Sequence, residues 1–205
     1  MITNHSTQFF EDQFRRQVVA GEHDLNSFEA AALPHIRGDV LDYGCGLGNL
    51  AVLAAQRGCT VVALDASHVA VDHLRKLAKS SALSLRAHEA DLRTYEITDD
   101  FDTVVCIGLL MFFDCTTALA QLKQLQSHVR PGGIAVVNVL TEGTTFLDMF
   151  SPEGHCLFKP EQLRGEFEGW NLIDFQSQAF PAPRDTRKVF STLIARRPEH
   201  TQADA

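Results

Sequence analysis

Strand-length apolar runs alternate with helix-patterned segments along most of this chain, and that alternation restricts its fold more than any other feature. The runs fall at residues 39–42, 60–64, 84–87, 103–107 and 134–140. Between them, residues 47–57 are rich in alanine and leucine and stop at Gly58, a residue type that commonly ends helices. Ser67 stands where a hydroxyl can cap a helix whose Ala70, Leu74 and Leu77 recur on one face. Asp114 can do the same for Ala118, Leu122, Leu125 and Val129, before Pro131-Gly132-Gly133 breaks the rhythm. Repeated strand–helix–strand units predict an α/β, doubly wound, mostly parallel sheet with helices on both faces. Unbroken apolar strands fit such a sheet, because it is buried on both sides. Two later runs, residues 171–178 and 187–196, flank Pro181-Ala182-Pro183 and predict a hairpin along one edge. Phe158-Lys159-Pro160-Glu161-Gln162-Leu163 reads as a helix start with proline in its first turn. Ligands of such sheets sit at the carboxyl ends of the strands, beside the switch in strand order.

The 205 residues, 45% of them hydrophobic, can bury one substantial core. The reading is one domain over residues 1–197, with residues 1–35 a helical cap and residues 198–205 a flexible polar tail. A net charge of −8 does not build the basic face that a phosphate backbone needs, so the expected partner is a small molecule rather than nucleic acid. Cys45, Cys59, Cys106, Cys115 and Cys156 are widely spaced, without a C-x-x-C pair. Neither a disulfide framework nor a zinc or other metal site is expected, and free thiols imply a reducing compartment. No apolar run approaches the roughly 18 residues of a membrane span. The first residues lack the basic-then-apolar pattern of a secretion signal. The expected setting is cytoplasmic, as a monomer or homodimer.

The chemistry concentrates at Asp42-Tyr43-Gly44-Cys45-Gly46-Leu47-Gly48, between the first strand and its helix. Glycines there let the chain turn sharply and a ligand approach the backbone. A dinucleotide loop, G-x-G-x-x-G, sets a pyrophosphate on the helix N-terminus. Here the third glycine comes early and Asn49 stands where Gly or Ala is wanted. Asp42 would repel a pyrophosphate, whereas it suits a ligand with positive groups, such as the ammonium and sulfonium of S-adenosylmethionine. The bland alternative is that Asp42 caps a turn. Asp65 ends the second strand, roughly 20 residues on, where an acid commonly meets ribose hydroxyls; its alternative is a helix cap. Asp91-Leu92 follows the third strand, where the carboxylate could accept from an adenine amino group and the Leu92 amide could meet a ring nitrogen. The candidate cofactor contacts are Asp42, Gly44, Cys45, Gly46, Gly48, Asn49, Asp65, Ala66, Asp91, Leu92, Ile107 and Gly108.

Val40-Leu41-Asp42-Tyr43-Gly44-Cys45-Gly46-Leu47-Gly48 resembles motif I of the class I S-adenosylmethionine-dependent methyltransferases. Asp65 matches their ribose acid, Asp91-Leu92 their adenine contact, and Arg130-Pro131-Gly132-Gly133 the turn before their fifth strand. The resemblance covers residues 39–197 and implies a seven-stranded sheet with the last strand antiparallel. Gly108-Leu109-Leu110-Met111-Phe112-Phe113, Phe158 to Leu163, Glu168-Gly169-Trp170 and Ser191 to Arg197 are similar to the tellurite-resistance methyltransferase family. That family is associated with methyl transfer to soft oxyanions and thiol-like acceptors. It carries a His-Arg pair between the last two strands, where this chain reads Ala179-Phe180-Pro181-Ala182-Pro183-Arg184 and has no histidine.

Methyl transfer from a sulfonium is an in-line displacement, so alignment is the protein's main task. Hard acceptors also need a base or a metal, and Cys106-Ile107-Gly108-Leu109 offers neither. An acceptor that is already nucleophilic, a thiol or a soft oxyanion such as tellurite, is therefore expected. No catalytic base is identified; His155 and Arg184 are the candidates. The expected acceptor pocket is Phe9, Phe10, Met111, Phe112, Phe146, Met149 and Phe158, with Phe113 and Phe150, and residues 143–150 as a lid. Residues 8–14 are read as a helix that closes over the cofactor, with Arg15 or Arg16 near the methionine carboxylate. Two rivals stand beside this reading, a non-catalytic S-adenosylmethionine-binding module and a nicotinamide-dependent oxidoreductase.

Overall fold

The computed structural model describes residues 5–21, 24–151 and 154–199. Helix α1 (His5–Ala20) and the short α2 (Ser27–Ala32) precede strand β1 (Asp39–Tyr43). Then α3 (Asn49–Gln56), β2 (Thr60–Asp65), α4 (His68–Ser80), β3 (Leu85–Glu89) and β4 (Phe101–Ile107) follow. After a 3-10 turn at Leu110–Phe112 come α5 (Cys115–Ser127), β5 (Val129–Leu140), α6 (Pro160–Gly165), β6 (Asn171–Ala182) and β7 (Thr186–Arg196). The strands form one seven-stranded sheet in the order β3-β2-β1-β4-β5-β7-β6. β1 to β5 pair in parallel, and β7 runs antiparallel to both β5 and β6. Sequence order reverses between β1 and β4, and the crevice at that switch is where the fold makes room for a ligand.

Alternation along the strands fixes the two faces. Val40, Val61, Ala63, Val105, Val136 and Ile194 pack with Leu50, Ala54 and Leu74 of α3 and α4. Their neighbours Leu41, Leu64, Val104, Val137 and Leu193 pack on the opposite face with Leu122, Leu125 and Leu163 of α5 and α6. Asp42 lies between Leu41 and Tyr43, which both face α5, so its carboxyl is directed toward the α2–α3 side. Ser67 caps α4 by accepting from the Ala70 amide at 3.1 Å. Asp114 caps α5 by accepting from the Thr117 amide at 3.0 Å. Both helix starts match the sequence expectation.

Three expectations need correction. The segment Arg130-Pro131-Gly132-Gly133 is part of β5, not a turn before it: Phe101 pairs with Val129 and Thr103 already with Ile134, so the extra residues bulge out of the ladder. Gly133 permits the bulge, since a Cβ there would lie 2.8 Å from the Arg130 carbonyl oxygen. The cysteines are not all free, because Cys115 and Cys156 form a disulfide. It ties the start of α5 to the strand-like segment that leads into α6, and the Cys156 amide also donates to the Met111 carbonyl at 3.0 Å. Residues 143–150 do not form a lid. The Thr145 and Phe146 amides donate to the Arg187 carbonyl at 2.9 and 3.1 Å, so the segment is stitched to β7. The expected tail falls on residues 198–205, of which 200–205 lie outside the described residues.

The disulfide closes a loop of 41 residues. Chain-entropy arguments assign such a link about 2–4 kcal/mol. A Cys115→Ala/Cys156→Ala variant should lose about that much in urea unfolding, and a reductant should destabilise the native chain but not the variant. Equal stability of the two proteins under oxidising conditions would contradict the link.

Candidate active site

A cavity of 1190 Å³ opens at the carboxyl ends of β1 to β4, where Asp42, one residue before the end of β1, and the terminal residues Asp65, Glu89 and Ile107 all reach its wall. Small-molecule sites usually enclose about 300–1,000 Å³, so this one has room for a donor and an acceptor together. All twelve residues singled out as cofactor contacts line it.

The glycine turn forms its floor. The Gly44 and Cys45 amides both donate to the Leu64 carbonyl, at 2.8 and 2.9 Å, which pins the loop to β2. Gly48 has φ +73° and a Cβ on it would sit 2.5 Å from Leu74, so a side chain there is strained and crowded at once. Tyr43 fixes the neighbouring wall. Its hydroxyl lies 2.7 Å from the Leu92 carbonyl oxygen and 3.0 Å from Gln121 Oε1, so the loop carrying Asp91 and Leu92 is held against α5.

The three strand-end carboxylates differ in state. Asp65 is spent on the backbone: Oδ2 accepts from the Gly46 amide and Oδ1 from the Ser67 amide, each at 2.8 Å. Burial raises its pKa, and those bonds oppose the rise. Asp91 takes both Arg93 Nε and Nη2, at 2.9 and 2.7 Å, and the guanidinium holds its carboxyl below the usual range. Asp42 has neither arrangement. Burial pushes its carboxyl up to about 8, and the negative charges of Glu29 and Asp65 add to the rise. A buried carboxylate without a counter-charge is costly. A ligand ammonium beside Asp42 removes that cost, so the residues present fit the amino-acid end of S-adenosylmethionine and oppose a pyrophosphate.

Sequence reasoning did not single out Glu29. It stands on the cavity wall with Asn26 as a reciprocal capping pair. Asn26 Oδ1 accepts from the Glu29 amide at 2.9 Å, and Glu29 Oε2 accepts from the Asn26 amide at 2.8 Å. The signal was present as Asn26-Ser27-Phe28-Glu29, a capping-box spacing; what it lacked was any indication that α2 would fold over β1. Burial raises the Glu29 pKa as well.

Helix α1 crosses the mouth. Thr7, Phe10, Glu11 and Phe14, spaced to share one helical face, line the cavity. The Phe14 ring stands over Gly46, where a Cβ would meet it at 3.2 Å. Phe10 meets Phe112 edge-on, with centroids 5.0 Å apart. Arg15 lines the cavity 4.0 Å from Glu11, and Arg16 does not reach the wall.

The predicted acceptor pocket is only partly assembled. Phe10, Phe112 and Phe113 line the cavity. Met111, Met149 and Phe150 are instead buried in the interior with Phe9 and Phe146 packed against them, and Phe158 is buried in the main core. Both catalytic candidates are also misplaced: His155 stacks on Phe150 at 4.4 Å, Arg184 pairs with Asp148, and neither reaches the cavity. The physical reason is shared. Residues 143–150 follow β7 rather than the strand ends, which takes Phe146, Met149 and Phe150 away from the cavity, and His155 and Arg184 contact that segment through Phe150 and Asp148.

The raised Asp42 carboxyl fixes a pH dependence. In the unfolded chain it ionises near 3.8, and in the fold near 8. Between those values the unfolded state binds fewer protons, so ligand-free stability falls as pH rises, and the loss is complete above the folded value. An Asp42→Asn variant should match the wild type near pH 4 and exceed it above pH 8, on the order of a few kcal/mol. Thermal unfolding without ligand measures this, and parallel curves at all pH values would contradict an ionisable, unpaired Asp42.

Residues 40–133 match the family model of a methyltransferase domain. Among curated relatives, hemagglutinin 1 of Eikenella corrodens is 27% identical over 77% of this chain and 54% of its own length. The ubiquinone biosynthesis O-methyltransferase of Pseudomonas fluorescens is 32% identical over 64% of this chain and 61% of its own length. The chain thus spans only about half to three-fifths of these relatives. Among solved structures, TehB from Haemophilus influenzae superposes with a TM-score of 0.74 at 18% identity, covering 92% of this chain and 67% of that one. Residues 40–133 thus match a methyltransferase domain, and the chain as a whole has the fold seen in TehB and in a solved S-adenosylmethionine-dependent methyltransferase from Clostridium acetobutylicum.

Proposed function

We propose that this chain transfers a methyl group from S-adenosylmethionine to a small apolar thiol. The observation that carries the donor is Asp42, a buried carboxyl beside the glycine turn that no cation among the described residues neutralises. Sheet order supports a division of the cavity. Asp65 and Asp91, at β2 and β3, flank the space for the nucleoside; Asp42, at β1, faces the methionyl end; β4 supplies the acceptor side. The bound donor would supply an electrophilic methyl on a sulfonium. The chain's own part is to orient it and to exclude water.

The acceptor side decides between a thiol and an oxyanion. Its wall beyond Gly108 is Leu109, Phe112, Phe113 and, from α1, Phe10. Of the arginines on the wall, Arg75 and Arg93 belong to the β3 end, where Arg75 donates to the Ala87 carbonyl at 2.8 Å, and Arg15 lies beside Glu11, which meets the start of α4. Three strand spacings separate β3 from β4, roughly 14 Å. A thiolate carries one charge, which the sulfonium offsets as they meet. Tellurite carries a second that no cation on the β4 side, among the described residues, would balance, between walls already rich in carboxylates. Tellurite is therefore the poorer fit, although TehB shares the fold. A phenol, the kind of oxygen acceptor that an O-methyltransferase relative brings to mind, would need a base that the aromatic wall does not offer.

A panel with labelled S-adenosylmethionine and small aromatic and aliphatic thiols, tellurite, phenols and amines tests this. Thiols should turn over and tellurite should not. Phe112→Ala should raise KM for the thiol by about tenfold, the value of one lost aromatic contact, while leaving S-adenosylhomocysteine binding unchanged. Turnover of tellurite with inert thiols would overturn the acceptor reading. Tight donor binding with no turnover on any acceptor would favour the binding-module alternative.

A further inference from the structure

Glu11 is a cavity acid whose two oxygens are unequally used. Oε1 accepts from the Val69 amide at 3.4 Å, in the first turn of α4, where a negative charge is favoured. Oε2 is buried from solvent and has no hydrogen-bond partner among the described residues, with Arg15 Nε 4.0 Å away. The side chain is 13% exposed and lines the cavity. Its charge acts on Asp65 and helps to raise that carboxyl. Two carboxylates therefore face one space, and Asp65 already spends both oxygens on the Gly46 and Ser67 amides. What is missing between them is a donor.

We propose that Glu11 is a second carboxylate for the ribose diol of the methyl donor, and that α1 closes on the donor through it. This rests on the donor reading above. A vicinal diol has two O–H groups, and Glu11 Oε2 offers a free acceptor on the helix that covers the site. The same helix carries Phe14 over the glycine turn and Phe10 against Phe112. A donor that holds Glu11 therefore also seats Phe10, so the acceptor wall is completed once the nucleoside is in place. Loss of the diol and loss of Glu11 should then have overlapping effects.

Binding of S-adenosylhomocysteine and of its 2′,3′-dideoxyribosyl analogue is measured on the wild type, Glu11→Ala and Glu11→Gln, with amide hydrogen exchange on α1. The wild type should prefer the parent ligand. Both variants should bind that ligand about tenfold more weakly, the worth of one charge-assisted hydrogen bond, and bind the analogue as the wild type does. The parent ligand should protect α1 from exchange in the wild type and much less in the variants. Glu11→Gln keeps an oxygen for the Val69 amide, so its loss of affinity cannot be assigned to undocking of α1. Equal weakening of both ligands, or none, would overturn the role of Glu11 while leaving the donor reading intact. A wild type that binds neither ligand would overturn the donor reading and this inference with it.

Discussion

A carboxyl group buried without a counter-charge is the constraint on which the rest of this site depends. Asp42 reaches that position because β1 alternates: Leu41 and Tyr43 face α5, which leaves Asp42 on the side covered by α2. There it meets Glu29 and Asp65 rather than a cation, and burial carries its pKa to about 8. A fold does not gain stability from such a group. Its retention beside a glycine turn makes sense when a cationic ligand completes the site, because that ligand converts a buried liability into a charge pair.

Around that group the work is divided along the sheet. Asp65 gives up its oxygens to hold the Gly46 amide and the start of α4, which shapes the glycine turn rather than leaving it to the ligand. Tyr43 braces the loop after β3 through Leu92 and Gln121. Helix α1, from outside the strand–helix repeat, then closes the top with Phe10, Glu11 and Phe14. On the proposed reading, the nucleoside, methionyl and acceptor ends would follow the strand order β3-β2-β1-β4. The acceptor end is the least polar, and that contrast separates a soft, weakly charged acceptor from a dianion.

What the sequence made legible is what local pattern controls. The strand–helix alternation, the caps at Ser67 and Asp114, and the late hairpin are local, and the structure reproduces them. The cavity wall at the strand ends was legible for the same reason, since residues that end parallel strands converge wherever the sheet goes. The acceptor wall was not. Phe112 lines the cavity while Met111 beside it is buried in the core, and hydrophobicity alone treats them alike. Nor could spacing join Cys115 to Cys156, because their approach depends on how the segment after β5 returns across the sheet. Glu29 and Glu11 were hidden differently: both come from the N-terminal helices, whose place over β1 and α4 is set by packing that no short motif encodes.

The central claim is that Asp42 stands protonated until a cationic ligand arrives, and the proton it gives up can be counted. Calorimetric titration of S-adenosylhomocysteine near pH 6.5, in buffers of different ionisation enthalpy, reports the protons released per ligand bound. The account predicts close to one proton released by the wild type, fading as the pH passes about 9, and essentially none by a protein with Asn at that position. A binding heat that does not depend on the buffer at pH 6.5 would contradict it.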